Sequence, residues 1–97
     1  VIYGQFRNGP GYAHTMEHSI HVAEAARAAG LGRALMTAAE DHARAAGIHS
    51  MIAGVAGENA GGAGFHAALG YQVIARLPEV GWKFGRWHDL VVMQKML

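Results

Sequence analysis

The sequence predicts a mixed α/β domain, a central sheet with helices on its faces, and three observations carry that reading. Residues His18 to Val22 alternate like a strand, and Leu31 to Ala46 are strong helix formers with apolar spacing at Leu31, Leu35, Ala38, Ala39 and His42. Ser50 to Ala56 is a short apolar run of the buried-strand type. Strand, helix and strand in succession imply a right-handed crossover between parallel strands, whereas the alternating segments at either end imply antiparallel hairpins. The order is β-β-α-β-α-β-β over one domain, residues 1–97.

Taken in order, Val1 to Arg7 reads as a strand and Asn8-Gly9-Pro10-Gly11 as a turn cluster. Tyr12 to Ala23 reads as the next strand. Its alternation places Tyr12, His14, Met16, His18, Ile20 and Val22 on one face and Ala13, Thr15, Glu17, Ser19 and His21 on the other. Ala23 to Ala29 supports two readings, helix by alanine content or strand leading into a loop. The helix from Leu31 ends at Gly47, a C′ residue. Gly57-Glu58-Asn59 breaks the strand of residues 50–56. Ala60 to Leu69 reads as a helix, weakened by Gly61, Gly62 and Gly64 at up to about 1 kcal/mol each and closed by Gly70. Tyr71 to Leu77 is a strand, Pro78 a turn, Gly81 to Arg86 a polar turn region and His88 to Met96 the last strand.

Composition narrows the function. The chain is 52% hydrophobic and 15% charged with a net charge of +1, which is globular and offers no electrostatic footprint for nucleic acid. It has no apolar run of membrane-spanning length. Cysteine is absent, so disulfides, a thiol nucleophile and thiolate metal sites are excluded. Gly4, Gln5 and Arg7 stand where a secretory leader would be apolar, so the cytoplasm is the expected compartment. The chain opens on Val1-Ile2-Tyr3, the middle of a strand, and reads as the C-terminal part of a longer polypeptide.

Arg27-Ala28-Ala29-Gly30-Leu31-Gly32 links the second strand to the first helix. No Ser, Thr, Asp or Asn at positions 28 to 32 caps that helix. Its first-turn N–H groups and its macrodipole therefore suit an anion, although an ordinary strand-to-helix turn fits the same residues. Leu35 stands where a dinucleotide fingerprint needs Gly or Ala, and the Gly-Lys-Ser/Thr of a P-loop is missing.

What remains, R-x-x-G-x-G, resembles the acyl-CoA pyrophosphate loop of the GCN5-related N-acetyltransferase (GNAT) superfamily. The whole chain resembles the C-terminal portion of the phosphinothricin and methionine sulfone/sulfoximine N-acetyltransferase family within it. Phe6-Arg7 through Tyr12, Thr15 to Val22, Arg27 to Gly32, Asn59 through His66 to Gly70-Tyr71, and Val80 to Asp89 followed by Met93-Gln94 carry the match. Ala28-Ala29, Gly61-Gly62 and Gly9-Pro10 depart from the family's usual residues. The resemblance implies a GNAT-like mixed sheet lacking the family's N-terminal strand and helices, acetyl-CoA as co-substrate, a small-molecule amine as acceptor, and a homodimer.

On that resemblance Glu17 is the candidate general base. An α-ammonium, with a pKa of roughly 8, must lose a proton before its nitrogen can attack. Burial against the apolar strand face would raise the Glu17 pKa towards that task. A solvated strand Glu, or a salt-bridged one paired with Arg7, is the plain alternative. His66 is the candidate acid for the leaving thiolate, or a helix histidine packed on the sheet. Backbone N–H groups at Ser19, Ile20, His21 and Val22 are the candidate oxyanion donors. Arg27, Ala28, Ala29, Gly30, Leu31 and Gly32 would hold the cofactor phosphates. Asn59 would contact the pantetheine arm, cap the second helix, or both. Arg7, with its planar fork, and Tyr12 are candidates for the substrate carboxylate pocket. Lys83, Arg86, Trp87 and Asp89 would shape the site's C-terminal wall, with Trp82 and Trp87 mainly packing residues. His14 and His18, about 13 Å apart along a strand, are too far apart to share a metal ion, and no metal is expected. The functional reading is an acetyl-CoA-dependent N-acetyltransferase; the alternative is a non-catalytic acyl-CoA-binding or interaction module.

Overall fold

The structure is a computed structural model that describes residues 1–19 and 30–97, the side chain of Ser19 excepted. It contains β1 (Ile2–Gln5), a 3-10 turn (Pro10–Tyr12), β2 (Thr15–Ser19), α1 (Leu31–Ala45), β3 (Ser50–Ala56), α2 (Ala60–Ala68), β4 (Gln72–Lys83) and β5 (Arg86–Met96). The hydrogen-bonded strand order is β1-β2-β3-β5-β4, a five-stranded sheet accompanied by two helices among the described residues. The mixed α+β class read from the sequence is the observed one. The chain forms two compact units, Val1–Met51 with Met96–Leu97, and Ile52–Lys95. Among the described residues no helix is long and apolar enough to cross a membrane.

In the first unit β1 and β2 pair antiparallel, with Gly4 opposite Glu17 and Tyr3 opposite His18. The His14 carbonyl accepts N–H bonds from His49 and Ser50 at 2.8 and 3.2 Å, so β3 begins beside the start of β2. The second strand starts later than expected, at Thr15, because Tyr12 closes the 3-10 turn and Ala13 and His14 continue as turn. Gly9 at φ 112 and Pro10 start that turn, and the Tyr12 N–H closes it on the Gly9 carbonyl at 3.1 Å. Turn chemistry overrides side-chain alternation there. The continuation at residues 20–23 lies outside the described residues.

Helix α1 starts where the sequence places it and buries a different stripe. Gly32, Met36, Glu40 and Ala43 are buried, whereas Leu31 is 44% exposed and His42 and Ala38 are exposed. The true face lies one residue around from the expected one. Flexible Met36 fills the core there, and hydropathy alone does not place a glutamate such as Glu40 inside. Both helices end in the same way. Gly47 and Gly70 have φ of 83° and 97°. The Gly47 and Ile48 N–H groups reach the Arg44 and Ala43 carbonyls, and those of Gly70 and Tyr71 reach Ala67 and His66, all at 3.0–3.1 Å. These are Schellman closures.

In the second unit β4 and β5 form a longer hairpin than the sequence suggests. It runs through Pro78 and turns only at Phe84-Gly85, both at positive φ, as a two-residue turn of the primed kind demands. Pro78 is tolerated because the register shifts between Leu77 and Gly81. Residues 78–80 bulge against Asp89 alone, so Pro78 forfeits no ladder bond. Ile52, Ala53, Val55, Tyr71, Val91 and Met93 are the buried apolar residues of this unit.

The glycines of α2 are not equivalent. A Cβ on Gly64 would meet nothing within 4 Å, but on Gly62 it would lie 2.5 Å from Asn59 Nδ2 and 3.1 Å from Val55 Cγ1. Urea denaturation is therefore expected to show Gly64→Ala stabilised by about 1 kcal/mol through helix propensity. Gly62→Ala is expected to lose about 1 kcal/mol, because its methyl displaces the Asn59 cap.

Candidate active site

The first unit carries the candidate base, the candidate substrate residues and, among the described residues, the end of the candidate cofactor loop. Arg7 does not pair with Glu17. Its guanidinium lies over the Tyr12 ring, 4.9 Å from the centroid, so the two candidate substrate residues are brought together. Gln5 Nε2 fixes the loop between them by donating to the Arg7 and Gly9 carbonyls at 2.7 and 2.9 Å. Glu17 is exposed, which corrects the expectation of a buried carboxyl. Its cross-strand neighbour is Gly4, where a Cβ would meet nothing within 4 Å among the described residues.

Gly30 is the N-cap of α1 at φ 79, ψ 12, and its carbonyl accepts the Ala34 N–H at 3.2 Å. A Cβ at Gly30 would meet nothing within 4 Å, so glycine is required there by backbone conformation rather than by space. Among the described residues no side chain caps this helix, and its first turn, which includes Leu31 and Gly32, has no acidic residue. A long helix starting this way keeps backbone donors and a positive dipole end for an anion. Ser19 ends β2 opposite Ile2. Ile20, His21, Val22, Arg27, Ala28 and Ala29, all candidate cofactor contacts, lie outside the described residues.

The second unit carries Asn59 and His66. Asn59 Oδ1 accepts the Gly62 N–H at 2.8 Å, the capping role read from the sequence. His66 is buried in α2, and its Nδ1 donates to the Gly62 carbonyl at 2.8 Å. Its ring meets Phe65 and Tyr71 edge-on, each at 5.2 Å between centroids. The packing role of His66 is therefore directly visible.

An open cleft in the same unit is lined by Glu58, Asn59, Val80, Trp82, Phe84 and His88, among others. Trp82 and Trp87 stack edge-on at 4.8 Å but stay 61% and 55% exposed, so they pack mainly on each other. The sequence reading missed Glu58, Arg76 and Glu79. Arg86 Nη2 donates to Glu58 Oε2 at 2.8 Å, and His88 bridges Glu58 Oε1 and the Lys83 carbonyl at 2.9 Å each. Asp89 accepts from Arg76 Nε at 2.9 Å and from the Glu79 N–H at 3.0 Å. Burial pushes the Glu58 carboxyl up, but the hydrogen bond and charge of Arg86, with those of His88, hold it below its ordinary 4.5. The Glu79 N–H, then Arg76, hold the Asp89 carboxyl below its ordinary 3.8. Opposite-charge spacing across the hairpin could have indicated Arg76–Asp89, but the bulge hides it, and the Glu58 pairs join the β3–α2 corner to β5 with no local signal.

The sequence profile of the acetyltransferase (GNAT) domain matches residues 1–92. An L-methionine sulfoximine/L-methionine sulfone acetyltransferase of Salmonella typhimurium is 44% identical over 98% of this chain and 56% of its own length. A ribosomal-protein-alanine N-acetyltransferase structure from Brucella melitensis superposes with a TM-score of 0.92 at 42% identity, covering 98% of this chain and 59% of its own. The Salmonella typhimurium protein yncA, solved with acetyl-CoA, gives 0.91 at 44%, covering 98% and 55%. The chain spans about half the length of the curated relatives it matches.

The two depressed carboxyls set an acid limit. Each favours the folded state above its unfolded pKa, and that contribution is lost as pH falls through 4.5 and 3.8 and on through the lower folded values. Thermal melts from pH 7 to pH 3 are expected to show Tm falling over this range. The fall should be shallower in Glu58→Gln than in the parent.

Proposed function

We propose, for a chain that belongs to the GNAT acetyltransferase family, that it transfers acetyl from acetyl-CoA to the primary amine of a small amino-acid-like substrate. Methionine sulfoximine, methionine sulfone and phosphinothricin define the substrate type. The observation that carries this reading is the start of α1: a left-handed Gly30 opening a 15-residue helix without an acidic side chain in its first turn. That arrangement suits the pyrophosphate of acetyl-CoA, with Gly30, Leu31 and Gly32 presenting backbone N–H groups and Arg27, Ala28 and Ala29 completing the loop.

In this mechanism the exposed Glu17 takes a proton from the substrate ammonium, directly or through water. The freed nitrogen attacks the thioester carbonyl carbon. Backbone N–H groups of Ser19, Ile20, His21 and Val22 take the developing oxyanion. The C–S bond breaks, the nitrogen gives its second proton to water to leave the neutral amide, and the thiolate is protonated by His66 or by water. Because His66 Nδ1 already donates to Gly62, a proton handed over by this ring leaves from Nε2. Asn59 contacts the pantetheine arm while keeping its cap on α2. Arg7, its guanidinium carbon 4.9 Å from the Tyr12 ring centroid, offers its N–H groups to the substrate carboxylate.

In this reading residues 1–97 are the C-terminal portion of one acetyltransferase domain that works in the cytoplasm, as a homodimer, on a small-molecule amine. The exposed apolar side chains of Val80, Trp82, Phe84 and Trp87 support an association surface on the β4–β5 hairpin.

Thiol release with methionine sulfoximine as acceptor, alongside calorimetric titration of acetyl-CoA, tests the reading. Glu17→Gln is expected to lower kcat by about 10²- to 10⁴-fold while leaving acetyl-CoA affinity unchanged. Acetyl-CoA binding without turnover on any amine would replace the enzyme by a binding module. Turnover confined to peptide amino termini would move the substrate class to proteins.

A further inference from the structure

We propose that Arg86 to Asp89 of β5 is a positioning element for Asn59, acting through the Gly57-Glu58 corner to set how acetyl-CoA is held without touching it. The proposal rests on the function above, in which Asn59 meets the pantetheine arm.

The corner between β3 and α2 is pinned at consecutive residues. The Gly57 N–H donates to the Asp89 carbonyl at 2.9 Å. The Glu58 carboxylate is held by Arg86 and His88 at 2.8 and 2.9 Å. The Asn59 N–H closes back on the Ala56 carbonyl at 2.8 Å, and the Asn59 side chain caps Gly62. Capping α2 needs only the last of these contacts. The others fix where the corner sits.

Asp89 is itself immobilised from the far side. Its carboxylate takes Arg76 Nε and the Glu79 N–H, and Glu79 is at φ 53, a left-handed conformation that a non-glycine residue adopts only under constraint. The Arg76–Asp89 pair then forms the floor on which Gly57 lies. A Cβ on Gly57 would sit 2.7 Å from Arg76 Nη2 and 3.0 Å from Asp89 Cβ. Strained bulge, carboxylate, glycine backbone and Asn59 form one continuous series of contacts. The Glu58 and Arg86 side chains are 52% and 62% exposed, and ion pairs that open to water add little stability. Their effect falls on geometry.

Glu58→Gln and Asp89→Asn are compared with the parent protein by steady-state kinetics, by hydrogen exchange at the Gly62 N–H and by thermal melting. Each variant is expected to raise KM for acetyl-CoA about tenfold, a larger change than in kcat or in the methionine sulfoximine KM, since a displaced contact weakens cofactor binding first. Gly62 exchange should quicken in both. Arg86→Lys, which keeps a cation opposite Glu58, should fall between the parent and Arg86→Ala. A lower Tm with unchanged acetyl-CoA KM overturns the proposal, as does a rise confined to the amine KM. If the parent protein binds no acetyl-CoA, the proposed function fails. Gly62 exchange then decides the positioning alone, and unchanged exchange in both variants overturns it.

Discussion

Backbone groups at a helix end must find partners, and that requirement organises this small structure. Three of the four ends of α1 and α2 are closed by the chain itself. Gly47 and Gly70 fold the last carbonyls into Schellman closures, and Asn59 caps the first turn of α2. The fourth end, at Gly30, has no side-chain cap among the described residues. In the proposed function that end takes the cofactor phosphate, through backbone donors that the described side chains leave uncapped.

The second constraint is electrostatic. A single β5 segment supplies Arg86 and His88 to Glu58 and Asp89 to Arg76 and Glu79. Both carboxyls lie below their ordinary range because donors face them, and not because they are buried. The charges are therefore partly wet, and they orient a corner more than they stabilise a core. Apolar contact does the stabilising, through Met36 and Met51 in one unit and Met93 and Tyr71 in the other.

The candidate site was legible where its chemistry is local. Gly30 and Asn59 announce themselves by what neighbouring residues lack or supply, and the structure gives them the backbone conformation and the cap those signals imply. Glu17 was legible as a strand carboxylate on the polar face; its exposure opposite Gly4 was not, because a cross-strand neighbour depends on register. Arg7 was read as a partner for Glu17 or for substrate, and only the turn at Pro10–Tyr12 brings its guanidinium over Tyr12.

Local sequence was enough for the α+β class, the order of elements among the described residues, the start of α1, the bounds of β3 and the closing glycines of both helices. Each of these follows from residues within one or two turns of one another. Folding in three dimensions settled which stripe of α1 is buried, that β4 continues through Pro78, and that Asp89 governs the bulge at Glu79. In each case the deciding partner is remote in the chain. A proline loses nothing only where the opposite strand asks for no hydrogen bond, and a glutamate enters a core only where folding supplies its partner.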